Sequence, residues 1–583
     1  MSSFVVALSV MDHVLQIPEL LRLVFAHLCS SFQLRCALVC KGWSEVALDV
    51  LWGKLDDPLP LFRLLAPWNR SSRILEYERP IRADDWRVFD RYASRVRTLQ
   101  LDYLSSWRVH DEVYSEVAQK RPHLTLLPNL KSLKIIPESR WNLVHSLLFF
   151  GHNVRELEFR WVPKLTALTP EYISDFFGEC AARMPKLRKF ALYGFEVDYI
   201  ARLQTDVVKL LPAMMDLETF SCSLYFATSA TFVALSQLPF LRAITFDYPT
   251  KCGIGKAVDI IDFRPIFMND SFPALVDLSF SATFEDASRF LGMDFAPELK
   301  KLFIHSPTLE SASQLRLLLS RLSESRNGLV QLCLSSVSSV SGDSSRDERN
   351  WEIDRVTYET LVPLLGFPTL VDFQISYHRP FQLNDAELGM LVENWHDLKV
   401  FHFGSDPFLQ EKPMLTLAIL PIIAKCCPNL RELSLYVDTH VNDPYLPITD
   451  PVYPSRFPSL RRIEFGTSPL AEKDIAGFCL FLSDLLPGTC NVETLCGVSW
   501  LLEDELVPAG FGIEPEVVPR WKQVSSALRM LTTAREQERL RTRDLEREAK
   551  DLSMRVAMLE EQRRLGLAAI AERKGSASVC VHQ

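Results

Sequence analysis

The sequence predicts an α/β protein with three parts: a small N-terminal helical module, an irregular solenoid with parallel strands inside and helices outside, and a C-terminal coiled-coil-like helix. Three observations predict this. A short apolar phrase, often led by proline, recurs along most of the chain with helical stripes between its copies. Ahead of it, residues 17–52 carry three amphipathic stripes. Behind it, residues 522–564 hold neither Gly nor Pro and place many apolar side chains at seven-residue spacing.

The N-terminal module spans 12–60. In IPELLRLVFAHL, Ile17, Leu20, Leu21, Val24, Phe25 and Leu28 form one broad helical stripe, and Pro18 sits in the first turn, where a missing N–H costs no hydrogen bond. Ser30 with Gln33 resembles a capping box, and Leu34, Ala37 and Leu38 begin a second stripe. Gly42 interrupts, and Trp43, Ala47, Val50 and Leu51 supply a third. Three helices this short make too little core to stand alone, so a partner is expected to cover surplus apolar surface. Residues 61–95 read as a helical connector.

The solenoid is expected over 96–507. Clear copies of the phrase are PNLKSLKI (128–135), PKLRKFAL (185–192), PFLRAITF (239–246), PALVDLSF (273–280), PELKKLFI (297–304), PTLVDFQI (368–375), PNLRELSL (428–435) and PSLRRIEF (458–465). Weaker copies begin at Val96, Val154, Leu217, Leu329, Leu398 and Val492, which makes fourteen at a mean interval of about 30 residues. The alternation closing each phrase is a strand signature. Stripes such as Ile173, Phe176, Phe177 and Cys180, or Leu315, Leu318, Leu319 and Leu322, or Ile475, Phe478, Cys479, Leu482, Leu485 and Leu486, are helical. A strand and a helix repeated at this period is the leucine-rich-repeat unit, whose bare faces are buried by stacking. A doubly wound enzyme fold also alternates strands and helices, but it does not repeat one phrase fourteen times. The usual Asn or Cys after the strand is missing, with Glu138, Val162, Phe195, Tyr225 and Pro249 at such positions, so the turns must satisfy their backbone by other means. Intervals of 24 to 41 residues imply an irregular stack, and 335–350 reads as a surface loop.

Residues beside the inward apolar positions line the concave face of such a stack. These include Glu156, Glu158, Arg160, Lys189, Tyr193, Asp247, Asp277, Lys301, Phe303, His305, Asp372, Gln374, Ser376, His402, Glu432, Tyr436, Arg462 and Glu464. The surface is mixed in sign and punctuated by aromatics, which suits a protein partner, and Arg160, Tyr193, Phe303, His305, His402 and Tyr436 are the candidates for gripping it.

After a Pro/Gly-rich linker at 508–521, a helix over 522–565 places Val524, Leu531, Glu538, Leu545, Leu552 and Leu559 at heptad position d, and Leu528, Arg535, Thr542, Ala549, Val556 and Arg563 at a. Self-association through 522–564 and a solvated single helix held by charge pairs both fit this pattern. Residues 566–583 read as a disordered tail. Cys580 stands four from the end, but His582 is a poor fit to a prenylation signal.

Composition bounds the rest. The chain has 583 residues, 48% hydrophobic and 23% charged, with a thinly spread net charge of −9, so nucleic acid is not the expected ligand. Thirteen scattered cysteines without CxxC pairs suit a reducing compartment, and neither a signal peptide nor a membrane span is apparent; a cytoplasmic or nuclear protein is expected. There is no HExxH, no GxSxG and no kinase signature, and GIGK (253–256) lacks phosphate-loop spacing. The twelve histidines form no metal-ligand pattern. No catalytic residue, metal or cofactor is expected.

One resemblance adds to this reading. IPELLRLVF, ALVCKGW and LWGKL, with Ile17-Pro18, Val39-Cys40-Lys41, Trp43 and Trp52, resemble the F-box, while His13 to Gln16 fit less well. The resemblance implies that Ile17, Pro18, Leu20, Leu21, Val24, Phe25, Leu38, Val39 and Trp43 contact a Skp-type adaptor joined to a cullin. It further implies a non-catalytic substrate receptor of a ubiquitin ligase whose repeats hold a protein substrate. The alternative is a non-enzymatic repeat and coiled-coil scaffold that does not act through a cullin.

Overall fold

The computed structural model describes residues 16–69, 74–103, 108–137, 139–160, 170–193, 197–223, 226–246, 262–267, 271–336, 355–405, 407, 411–440, 456–493 and 517–579. They divide into two compact units: Met1–Arg355 with Glu359–Leu370, and Val356–Tyr358 with Val371–Gln583.

The first unit begins with three helices, Pro18–Ala26, Ser30–Ala37 and Lys41–Gly53. The predicted capping box is not formed. Cys29 is the N-cap of the second helix without a side-chain bond, and the Gln33 amide instead donates to the carbonyls of Phe25 at 3.0 Å and Leu28 at 2.9 Å. A long amide that can satisfy two end-of-helix carbonyls does more there than at its own helix start. The 61–95 segment is not purely helical. Strands β1 (Lys54–Leu55), β2 (Trp68–Asn69) and β3 (Ile74–Tyr77) flank the short helix Leu59–Phe62, and the helix Asp85–Ala93 comes next.

From residue 98 the repeated phrase governs the chain. Each copy carries one strand: β4 (Thr98–Asp102), β6 (Ser132–Ile136), β7 (Glu156–Arg160), β8 (Lys189–Tyr193), β9 (Thr219–Cys222), β10 (Ala243–Phe246), β11 (Asp277–Ser281), β12 (Lys301–His305) and β13 (Gln331–Ser336) in the first unit. In the second unit they are β14 (Asp372–Tyr377), β15 (Val400–Phe403), β16 (Glu432–Leu435), β17 (Arg462–Glu464) and β18 (Asn491–Glu493). Within each unit, consecutive repeat strands pair in parallel and in register; β1 joins the first ladder beside β4. A minor strand β5 (Arg108–Val109) pairs with β3 instead. Because parallel neighbours connect through right-handed crossovers, sequential order puts the intervening helices on one side. The leading apolar residue of every phrase, from Val96 to Val492, is buried.

Backbone groups that the missing Asn ladder would satisfy are met by serines. Ser336 Oγ accepts from the Glu310 N–H at 3.0 Å, and Ser468 Oγ from the Val437 N–H at 3.0 Å, each reaching a neighbouring repeat. Ser335 and Ser336, read from sequence as loop, are buried at the end of β13; the rest of that loop lies outside the described residues. So do Glu138, Val162, Phe195, Tyr225, Asp247 and Pro249, the GIGK turn and Cys580.

The second unit closes on the helix Val517–Val579. It starts inside the expected linker and runs well past residue 565 into the expected tail. Its opening turns pack on the last repeat. Trp521 stacks on Phe465 at 5.4 Å and meets Phe478 edge-on at 5.5 Å, with Val524 and Leu528 buried beside it.

Candidate functional site

The three N-terminal helices bury very little. Their core is Leu21, Phe25, Ala37, Val46 and Ala47, with Trp43 half-buried edge-on against Phe25 at 5.3 Å. Of the residues expected at a docking surface, Leu21 and Phe25 are therefore core residues, 3% and 2% exposed; they hold the helices together rather than face outward. Ile17, Pro18, Leu20, Val24, Leu38 and Val39 are exposed, Leu38 to 80% and Val39 to 62%. Leu23, Phe32 and Leu34 are exposed as well; sequence reasoning set Leu34 in a stripe and left Leu23 and Phe32 outside any stripe, so none of them was read as docking surface. Eight large apolar side chains on a module of this size form a surface that water covers poorly.

The module is tied firmly to the first repeat. The Arg95 guanidinium, only 12% exposed, bonds the carboxylates of Glu45 and Asp49 on the third helix, and it holds the Glu45 carboxyl below its ordinary range. Trp52 packs on Tyr92 at 4.6 Å, and the Arg97 N–H donates to the Gly53 carbonyl at 2.9 Å. The helices and the first repeat strands thus form one body, so a partner held by the former is held in a defined place relative to the latter.

The strand faces are polar. In the first unit Lys134 pairs with Glu158 at 3.0 Å, Glu158 meets Arg160 at 3.4 Å, and the Arg160 guanidinium lies 5.2 Å from the Tyr193 ring centre. Two of the six predicted gripping residues are thereby brought together. Lys134 was missed, although it occupies the same place in its phrase as Glu158. Phe303 is half-buried, edge-on to Phe246 at 6.0 Å. His305 is not a surface residue: it is buried, its Nδ1 lies 3.4 Å from Ser335 Oγ, and burial pushes its pKa down to about 4. In the second unit, His402 stands 4.0 Å from Glu432 in a row where Arg462 reaches Glu432 at 3.6 Å and Glu464 at 2.9 Å. Burial lowers the His402 pKa against the pull of Glu464 and Glu432. Tyr436 is buried, its hydroxyl donating to the Glu411 carbonyl at 2.7 Å, and so is removed from the candidate surface.

On the helical side of the first unit, a cleft of about 350 Å³ is lined by Tyr114, Trp141, Val144, His145 and Leu148. Its His145 ring stacks on Tyr114 at 4.1 Å, and burial lowers that histidine's pKa. Among the described residues no group of His, Cys, Asp and Glu is placed to hold a metal, and no helix is long and apolar enough to cross a membrane.

Comparison with known proteins agrees with the helical module. The family model described as the F-box domain matches residues 15–53. No curated protein matches the chain. Among solved structures, the Rad7–Elc1 complex of yeast is similar at 13% identity with a TM-score of 0.34, covering 65% of this chain and 78% of that one. A TLR13–ssRNA13 complex is similar at 12% identity with a TM-score of 0.30, covering 70% of this chain and 58% of that one. Residues 15–53 therefore carry an F-box domain, and its exposed apolar helices are continued by parallel strand-and-helix units.

Proposed function

We propose that the chain is the substrate-recognition subunit of a Skp–cullin–F-box ubiquitin ligase, acting in the cytosol or nucleus and carrying no catalytic residue of its own. The observation behind this reading is the exposed apolar surface of Ile17, Leu20, Val24, Leu38 and Val39 on a module whose own core is five residues. Covering each such side chain contributes about 1.5–3 kcal/mol, enough for several together to hold an adaptor. The strand faces carry charge pairs and half-buried aromatics, which suits a protein substrate engaged by polar and aromatic contacts. Arg160 with Tyr193 in the first unit and His402 in the second are the residues we assign to that contact.

The test is co-purification of the full chain with a Skp-type adaptor and a cullin. Val24→Asp with Leu38→Asp changes only exposed positions, and it is expected to lower adaptor affinity a hundredfold or more while thermal unfolding stays unchanged. Undiminished adaptor binding by this variant overturns the interface. Adaptor binding without cullin recruitment supports the scaffold reading instead.

A further inference from the structure

The helix Val517–Val579 changes character along its length. Up to Arg539 it packs against the rest of the second unit. Trp521, Val524, Leu528 and Thr532 are buried, Arg535 pairs with Asp484 at 2.6 Å, and Arg539 reaches the same carboxylate at 3.3 Å. From Leu540 to Ala571 every residue is exposed. That stretch is nonetheless not a uniformly polar rod: Leu545, Leu552 and Leu559 recur every seventh residue, and Ala549 and Val556 fall four after the first two. The stripe is distinct from the one docked on the repeats. A seven-residue pattern drifts about 20° per heptad on a straight helix, so three heptads carry it roughly 60° round from Leu528. A partner helix therefore approaches beside the repeats rather than through them.

We infer that residues 541–560 pair with the same residues of a second copy of this chain, as a parallel, in-register two-stranded coiled coil. Two features choose that occupant. Leucine stands at all three d positions, Leu545, Leu552 and Leu559, and the a positions between them hold Ala549 and the β-branched Val556, a combination that favours two parallel strands. The flanking charges then complement themselves. In a parallel pair each g side chain faces the partner's e side chain five residues on, which sets Arg541 against Glu546 and Arg555 against Glu560, each pair occurring twice by symmetry. Glu548 faces Ser553, so no like charges meet among these g–e pairs. The helix has no need of a foreign sequence to satisfy its edges.

The seam is short, so the dimer is reversible and its population depends on concentration. This proposal is independent of the adaptor, and its test involves no ligase component. Sedimentation of the full chain is expected to show a monomer–dimer equilibrium across about 0.1–50 μM, in the affinity range usual for weak interfaces. Leu552→Asp with Val556→Asp, both exposed in the monomer, is expected to leave unfolding unchanged and abolish the dimer. Arg541→Glu with Arg555→Glu is expected to weaken it about tenfold, and mixing with the Glu546→Arg, Glu560→Arg variant to restore a heterodimer. Leu545→Cys under mild oxidation should give a covalent dimer that the parent chain does not. A monomer at all concentrations, or a dimer that survives Leu552→Asp with Val556→Asp, overturns the proposal. A dimer that Leu545→Cys fails to cross-link overturns its parallel orientation.

Discussion

The F-box and the repeats are built from the same kind of amphipathic segment, yet they dispose of their apolar side chains in opposite ways. In the repeats every leading apolar residue of the phrase is buried. In the F-box the helices Pro18–Ala26 and Ser30–Ala37 bury four residues between them, including Gln33, and leave Leu23, Val24, Phe32, Leu34 and Leu38 in water. Stacking gives each repeat a neighbour of its own kind, whereas the outer face of the F-box meets none among the described residues. A stack covers its own apolar surface; the described helical module leaves part of its apolar surface in water.

Substitutions that invert this contrast should rank accordingly. The largest effect is expected inside the repeats. Phe290 meets Phe263, Phe280 and Phe295 at 5.2, 5.1 and 4.7 Å, so Phe290→Ala should destabilise the first unit by about 3–5 kcal/mol in denaturant unfolding. Leu21→Ala removes one of the five apolar core residues of the F-box, and about 2–3 kcal/mol is expected because so small a core collapses partly into the gap. Proteolysis should then cut within 18–53 first, while the repeats melt as before; an unchanged cleavage pattern would show that the module draws its stability from elsewhere.

A third variant tests burial in the repeats by pH. The folded pKa of His305, about 4, lies below its ordinary 6.5, so the unfolded chain takes up this proton first as the solution is acidified. Its stabilising share is whole above 6.5 and is lost as pH falls towards 4. Comparing the chain with His305→Leu cancels other titrations, and the stability difference should shift by about 2 kcal/mol between pH 7 and 5. A pH-independent difference would place the ring in water. The smallest effect belongs to the F-box surface: Leu38→Ser should alter stability by no more than about 0.5 kcal/mol while weakening adaptor binding.

The same contrast explains how much of the molecule was legible in its sequence. Every phrase from Val96 to Val492 carries a strand, because burying both the leading residue and the alternate strand positions imposes a pattern that noise does not imitate. The pattern fails at strand ends. Ile304, His305 and Ser306 are all buried, so the period-two rule that set His305 on the open face no longer held where the chain turns. Tyr436, just past β16, was misplaced for the same reason. In the F-box, Leu21 and Leu20, or Ala37 and Leu38, stand side by side in sequence on helices of nine and eight residues. On so short a helix two apolar faces coexist, and the sequence marks both as apolar without telling which meets a neighbour in the same chain. Arg160 and Tyr193 meet because both sit at equivalent places in consecutive phrases, a contact the sequence reading did not draw.

Trp521 finally bears on where this chain tolerates being cut. Wedged against Phe465 and Phe478, it makes the opening turns of the last helix the closing layer of the second unit, even though they belong to no repeat. Removing everything from Val517 onward would strip that layer and wet two phenylalanines together with Val492, so the loss would be read as unfolding and not as loss of a partner. A stop just after Arg539 keeps the tryptophan, the buried Leu528 and both arginine contacts to Asp484. Everything it discards from Leu540 to Ala571 is already in water, so it separates what the helix does for its own unit from what it does beyond it.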